Sequence, residues 1–559
     1  MKQIGEEFKN DSITWIQTFL YDFGFGQFPL PKQWKNISID GVDDEGRAIM
    51  RKAGSLLWEM NVPTDFDNLM DLRGTLTFYK MLERHQTFCE KMLKFPQFLD
   101  YVQNTQPDVI VLDHFLQECI GCLSHLLNSS VVQFSNWPIA DGYITSLNVP
   151  ANPTAIPKTG TPFSGLEMSF SSRLTNVIFH YIIVFTRYIQ IHVLNSLFAR
   201  EGYPQVNVMD SEAQRIIYAG RSEFLFDVVR PINNRVKHFG ASNCKDPKEF
   251  VIWLPEDTNS NVSIEQAVIP SYPTDVISYV SNNSSLFSLC ERNCNDKLKK
   301  SSSTWTYRSD LFENIPSSVV KERFERVVHQ FPTIQWNIIN SSPFILVSFG
   351  SVAQVENMPV PHLKSLLNIF SKTTSAVIWQ TNSPIEEILT KRNITKPDNM
   401  ILVHWAPIKE LLAHPNLQYI ICHGGINTIN ELLLFGVPVI GVPLQGDQGS
   451  NLRRLADLGA AEIVPSSRLS KGDLEPAMRK VENNLEKYWI RSTQISSMLK
   501  YYRKLHSDDQ TFWLRWTARN GKQLRNRKLF KLRYTGDEEN IFWMEILTIP
   551  ILLALLISY

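Results

Sequence analysis

The sequence predicts an α/β protein whose C-terminal half is a doubly wound parallel sheet. Three observations carry that reading. From residue 343 onward, short apolar β-branched runs alternate with segments of helical spacing. A second strand–helix–strand pattern stands upstream, between 107 and 135. The chain is also 559 residues long, too long for one hydrophobic core, which suggests roughly three to four domain-sized units or two large ones.

Taken in order, residues 76–95 (LTFYKMLERHQTFCEKMLKF) space their apolar side chains as a helix does. PDVIVLD (107–113) is a buried strand ending at Asp113, FLQECIGCLSHLL (115–127) a helix, and VVQFS (131–135) a strand. Residues 146–166 carry four prolines and three threonines and form a long loop. Residues 168–200 are helical and aromatic-rich. Residues 245–340 lack sustained periodicity and hold NSNVS, SNNSS and KKSSS, so they are read as an inserted or linker region. The strands that follow are FILVSFG, SAVIWQT, MILVHWA, LQYIICHGG and VPVIGVP. The helices between and after them are PVPHLKSLLNIFSK, IKELLAH, NTINELLLFG and NLRRLADLG.

Composition excludes several classes. Lys+Arg and Asp+Glu are both 56, so there is no basic excess to neutralise phosphates, and no nucleic-acid partner is expected. Seven cysteines in a chain this long are not a disulfide scaffold. Cys119-x-x-Cys122 is read as core packing, and Asp65-Phe66-Asp67 as a helix cap rather than a metal-binding pair. Residues 541–559 (IFWMEILTIPILLALLISY) are read as a membrane anchor. The first ten residues hold no apolar targeting segment, whereas eight Asn-x-Ser/Thr sites, Asn36, Asn340 and Asn393 among them, suit a secretory compartment. The expectation is therefore a chain whose signal segment is not in this sequence. The alternative is a tail-anchored cytosolic protein, which the basic run 522–531 favours.

In a doubly wound sheet, ligands sit outside the carboxyl ends of the strands. The residues there are Gly350-Ser351, Trp405-Ala406-Pro407, His423-Gly424-Gly425 and Gly446-Asp447-Gln448. The glycines let backbone approach a ligand, and a helix start favours an anion such as phosphate. His423 can donate to the same anion. Glu431 offers a bidentate acceptor for ribose hydroxyls, Trp405 a flat face for a base, and Asp447-Gln448 groups suited to sugar hydroxyls.

The run from Trp405-Ala406-Pro407 through His423-Gly424-Gly425-Ile426-Asn427 and Glu431 to Asp447-Gln448 resembles the donor-binding signature of the UDP-glycosyltransferase family, which includes the animal UDP-glucuronosyltransferases. VSFGS (347–351), PDVIVLDHF (107–115) and RVKHFGAS (235–242) resemble further stretches of that family. The resemblance implies the GT-B fold, two facing Rossmann-like domains with a cleft between them and a C-terminal membrane anchor. It divides the chain into an incomplete acceptor-binding domain (1–244), an insertion or linker (245–340), a UDP-sugar-binding domain (341–500), a helical tail (501–540) and the anchor (541–559). It implies that Trp405 stacks on uracil with Pro407 flanking it and that Glu431 holds ribose. Ser351, His423, Gly424, Gly425 and Asn427 would cradle the diphosphate, and Asp447 and Gln448 the donor sugar. Asp113 would orient a catalytic histidine that deprotonates a small lipophilic acceptor, with inversion at the anomeric carbon. No cofactor is implied; the donor is UDP-glucuronate or UDP-glucose, and homo- or hetero-oligomerisation is left open. The implied place is the endoplasmic reticulum membrane, single-pass with the bulk luminal.

The sequence departs from the family at the base. The first histidine, His85, lies in a helical pattern and reads as a solvated helix residue, and His114 beside Asp113 points elsewhere. Ile408 stands where the family has Gln. The alternative function is thus a UDP-sugar-binding or partner subunit without the catalytic histidine. A third reading, an NAD enzyme, needs a Gly-x-Gly-x-x-Gly turn that the candidate site lacks.

Overall fold

The computed structural model describes residues 30–113, 149–240 and 327–506 without a break. It also describes 10–20, 118–122, 129–135, 508–525 and a few residues beside these. The anchor segment 541–559, His114 and most of 245–340 lie outside the described residues.

In the N-terminal part, β1 (Thr14–Phe19) and β2 (Lys35–Asp40) pair as a two-stranded parallel sheet, Thr14 opposite Lys35. Helix α1 (Asp44–Glu59) starts where Asp43 accepts a hydrogen bond from the Gly46 N–H at 2.8 Å, a side-chain cap for an open helix end. Helices α2 (Arg73–Leu93) and α3 (Pro96–Asn104) follow, then β3 (Val109–Asp113), α4 (Glu118–Gly121), β4 (Ser130–Ser135), α5 (Phe170–Arg200), α6 (Val208–Ala213), β5 (Ile217–Gly220) and β6 (Val236–His238). The last four strands form one parallel sheet in the order β3-β4-β5-β6. Alternation along the strands sends Leu112 and Val131 to the face covered by α2 and α5, and Val132 and Phe134 to the other.

The C-terminal part runs α7 (Trp336–Ser341), β7 (Phe344–Ser348), α8 (Val360–Ser371), β8 (Ala376–Gln380), α9 (Ile385–Lys391), β9 (Met400–Val403), α10 (Ile408–Leu412), β10 (Leu417–Cys422), α11 (Ile426–Phe435), β11 (Val439–Gly441), α12 (Gln448–Asp457) and β12 (Ala461–Ile463). Helices α13 (Leu474–Asn483), α14 (Leu485–His506) and α15 (Asp509–Arg525) are the last described elements. All six strands are parallel, in the order β12-β11-β10-β7-β8-β9. The strands are buried on both faces, which is why they read as continuous apolar runs.

Several expectations need correction. Ordered packing in the C-terminal part begins before 341, because Phe324, Val327, Ile334, Trp336 and Ile339 lie in its core. The helix across 500 is continuous, so the tail does not start there; α15 folds back onto β3 and β4, and Lys522 reaches Asp108 at 3.3 Å. Leu56, Leu57, Trp58, Met60 and Val62 belong to the C-terminal core and not to the N-terminal one. His85 is buried in α2 rather than solvated. Cys119 is not simply packed: it is disulfide-bonded to Cys89, tying α4 to α2, while Cys122 stays a buried thiol. Asp65 caps no helix; it accepts from the Asp67 N–H at 3.0 Å and closes a turn ahead of α2.

Candidate functional site

The six-stranded sheet reverses its winding between β7 and β10. From β7 the chain moves outward through β8 and β9, and from β10 it moves the other way through β11 and β12. The crevice at such a reversal is where open α/β sheets bind ligands. Gly350-Ser351 follow β7 and His423-Gly424-Gly425 follow β10, so the two loops flank this crevice.

Their fit is close. The His423 ring lies against Gly350 and Gly425: a Cβ at Gly350 would sit 2.6 Å from the ring, and one at Gly425 2.6 Å from its Nε2. Gly350 also has φ +74°, which an L side chain adopts only with strain. Gly424 is equally constrained, with φ +84° and Leu452 2.4 Å from a built Cβ. Burial pushes the His423 imidazole down to about 4, the Ser348 backbone pulling the other way, so the ring is neutral at pH 7. Helix α11 then starts at Gly425 with no side-chain cap, so its first N–H groups have no capping side chain as acceptor.

Asn427, in that first turn, accepts a hydrogen bond from Arg221 at 2.8 Å, and Asn430 donates to the Arg221 carbonyl at 3.0 Å. Arg221 comes from the N-terminal part, just after β5. Glu431, one turn on, is largely buried and 3.8 Å from Lys409. Burial raises its carboxyl to about 7, and Lys409 only partly offsets this. Lys409 lies in the first turn of α10, directly after the loop carrying Trp405 and Pro407, so the ion pair ties the two regions together. Trp405 is 54% exposed, an indole face left open beside a strand end.

On the other side, Asp447 and Gln448 begin α12. Asn451 donates to the Asp447 carboxylate at 2.7 Å and to the Gly424 carbonyl at 3.1 Å, joining this corner to the His423 turn. Burial raises the Asp447 carboxyl to about 6. The Gln448 carbonyl accepts the Leu444 and Gln445 N–H groups at 2.9 and 3.0 Å, which leaves its amide N–H groups as the donors it can offer. The N-terminal part presses on this corner: the Val62 N–H donates to the Leu444 carbonyl at 3.1 Å, and the Gly446 N–H donates to the Val62 carbonyl at 2.7 Å.

Ser351, Trp405, Pro407, His423, Gly424, Gly425, Asn427, Glu431, Asp447 and Gln448 thus share one rim. Asp113 ends β3 of the other sheet. Sequence reasoning missed the residues that hold the rim in shape. Gln380 accepts the Ala406 N–H at 3.1 Å, and Asn382 donates to the Gly350 carbonyl. Gln380 ends β8 and Asn382 follows it, at a strand end that sequence reading did not examine. Arg221 follows β5 in the same way.

Residues 328–529 match the family model described as UDP-glucoronosyl and UDP-glucosyl transferase. The chain carries a UDP-glycosyltransferase-family domain. Curated relatives of this UDP-glycosyltransferase domain include the ecdysteroid UDP-glucosyltransferase of Lacanobia oleracea granulosis virus. It is 34% identical over 139 residues, which cover 25% of this chain and 28% of the relative. UDP-glucuronosyltransferase 1A1 of Homo sapiens is 27% identical over 236 residues, covering 40% and 42%. The matched stretch therefore spans well under two thirds of either relative. Among solved structures, Os79 from O. sativa in complex with UDP overlays on 88% of this chain and 91% of its own at 14% identity, with a TM-score of 0.45. An overlap that loose decides nothing; the placement of the UDP-glycosyltransferase domain rests on the family match.

Proposed function

We propose that the chain binds a UDP-sugar in the crevice between β7 and β10 and transfers the sugar to a hydroxyl of a small lipophilic acceptor with inversion. The observation that carries this is the neutral His423 ring seated on Gly350 at the winding reversal, beside the uncapped start of α11. Uracil stacks on Trp405 next to Pro407, and Glu431 holds the ribose. Ser351, His423, Gly424, Gly425 and Asn427 take the diphosphate, whose charge is met by helix N–H groups and neutral donors. Asp447 and the Gln448 amide take the sugar. The acceptor oxygen attacks the anomeric carbon, the bond to the diphosphate oxygen breaks, and UDP leaves. Asp113 orients the base that removes the acceptor proton.

One observation favours a second reading, a UDP-sugar-binding subunit without turnover. His85, the first histidine of the sequence, is buried in α2 and not at a strand end. Incubating the full chain with UDP-glucuronate or UDP-glucose and simple phenols separates the two. UDP release with glycoside formation, abolished in Asp447→Ala, supports transfer. Saturable donor binding without release supports the subunit, and failure of both donors to bind removes both readings.

The endoplasmic reticulum lumen is the proposed site. The Cys89–Cys119 disulfide suits an oxidising compartment, and Asn36 and Asn393 are exposed for glycan addition. Asn340 is instead engaged by the buried His414 at 2.9 Å.

A further inference from the structure

Helix α5 is inside out. Its buried side carries Asn176, His180, Arg187 and Gln190 alongside Val184, Ile191, Leu194 and Leu197. Its exposed side carries Phe170, Leu174, Ile178, Ile182, Phe185, Ile189 and Val193. These fall at steps of three and four, one continuous stripe along the helix. Phe170 is 78% exposed, Ile182 55% and Phe185 58%. Between Arg173 and Arg200 the one charged side chain is Arg187, and it faces inward to Glu212 and Gln190. A water-facing helix places its polar residues outward, so this face is built for an apolar surrounding.

Among the described residues α5 is the one helix long and apolar enough to cross a membrane. Crossing would strip its inner face from the protein. Asn176 donates to the Pro153 and Ile156 carbonyls at 2.6 and 2.8 Å and accepts the Lys158 N–H at 2.8 Å, so that face is committed to the fold. The helix must therefore lie along an apolar medium, not through it. The patch also widens beyond one helix. Phe66 packs edge-on against Phe179 at 5.2 Å, and just after it Leu69, Met70, Leu72 and Leu76 are exposed, Met70 at 88%.

We propose that the outward face of α5, with the adjoining 69–76 segment, rests in the headgroup boundary of a lipid bilayer. A second copy is the weaker occupant. The stripe is about 35 Å long and one helix, ~10 Å, wide, on the order of 350 Å² and well under the about 800 Å² per partner of a stable interface. A bilayer needs no matching shape, and an apolar helix face buried a few ångström into the acyl boundary suits it. The chain supplies a second bilayer-seeking element: its sequence ends in the apolar segment 541–559, and the 526–540 stretch can span up to about 50 Å from the end of α15. This inference is independent of the transfer reaction.

The test places a photoreactive diazirine side chain at Ile182, at Phe185 or, as control, at exposed Lys364 on α8. The full chain is reconstituted in vesicles of phosphatidylcholine and phosphatidylserine. The expected result is lipid adducts at Ile182 and Phe185 and none at Lys364. Adducts mapped instead to residues 541–559 or to a second copy, or no adduct at all, overturn the proposal. A probe at Ile178 in the Ile182→Gln, Phe185→Gln double variant should lose its lipid adduct while the circular-dichroism melt keeps its midpoint; an undiminished adduct counts against the proposal. Should the variant fail to fold, the three single-probe results decide alone.

Discussion

Two side chains of the rim, His423 and Glu431, are held away from their usual ionisation by burial, and each has a signed consequence. His423 sits near 4 against an ordinary 6.5, so it contributes stability at neutral pH that is lost as pH falls through that interval. Glu431 is raised from 4.5 to about 7, the opposite case: its contribution is full below 4.5 and is lost as pH rises through 7. Replacing Glu431 by Gln removes that titration. Thermal melts should therefore show the wild-type midpoint declining more steeply than that of Glu431→Gln between about pH 5 and pH 8. Equal slopes would show that the carboxyl is not raised. Gly350→Ala tests the fit at the winding reversal. The added methyl meets the His423 ring at 2.6 Å on a backbone at φ +74°. A stability loss of about 1–3 kcal/mol is expected, with weaker UDP binding by calorimetry. Much of this corner was legible in the sequence, because a Gly-Gly turn, usually no more than a turn, here stands with an indole, carboxylates and an amide at the ends of several strands of one sheet. Gln380 and Asn382 were not, because a polar residue at or just past the end of a strand carries no signal until its partner carbonyl or N–H is known.

Helix α12 is the element that couples the two parts. Its first turn carries Asp447 and Gln448, and the N-terminal part grips the rest. Ser450 accepts the Gly160 N–H at 3.4 Å, Arg454 pairs with Asp227 at 3.1 Å, and Asp457 accepts from Ser164 Oγ and Gly165 N at 2.9 and 2.8 Å. Burial alone would push the Asp227 carboxyl up. Arg454, Arg230 and His238 outweigh it and hold it below the usual range. Both members of the Asp227–Arg454 pair are almost wholly buried. Removing one takes the nearest opposite charge from the other in the interior. Asp227→Asn and Arg454→Met should each cost about 3–5 kcal/mol in chemical denaturation, and the double variant clearly less than their sum. Additive losses would mean that the pair does not act as a unit. Sequence reading found five of the six strands of the six-stranded sheet, and most of its helices, because period and punctuation agree there. It missed α9, β12, α13 and the run of α14 through 506, where strands are three residues long or helices carry charge on most faces.

At the scale of the whole molecule, the division into an N-terminal and a C-terminal part is not a clean cut of the chain. Trp58, fully buried, packs edge-on against Phe349 at 5.2 Å and donates to the Gln354 carbonyl at 3.1 Å. Phe349 directly precedes Gly350. An upstream helix therefore props the turn that flanks the crevice, and no local sequence pattern announces a contact between residues 58 and 349. Trp58→Ala should destabilise by about 3–5 kcal/mol and weaken UDP binding as well, measured by denaturation and calorimetry on the same preparation. The C-terminal end crosses in the other direction, with α15 lying on the N-terminal sheet. These crossings make the crevice a property of the entire fold, although its chemistry comes from the rim of one sheet.

The central claim is that this rim is a uridine diphosphate site, and calorimetric titration of the full chain with UDP tests it most directly. One-site saturable binding, lost in His423→Ala and strongly weakened in Trp405→Ala with both variants folded, is the predicted result. Absence of UDP binding to the wild-type chain, or binding that both substitutions leave unchanged, would contradict it.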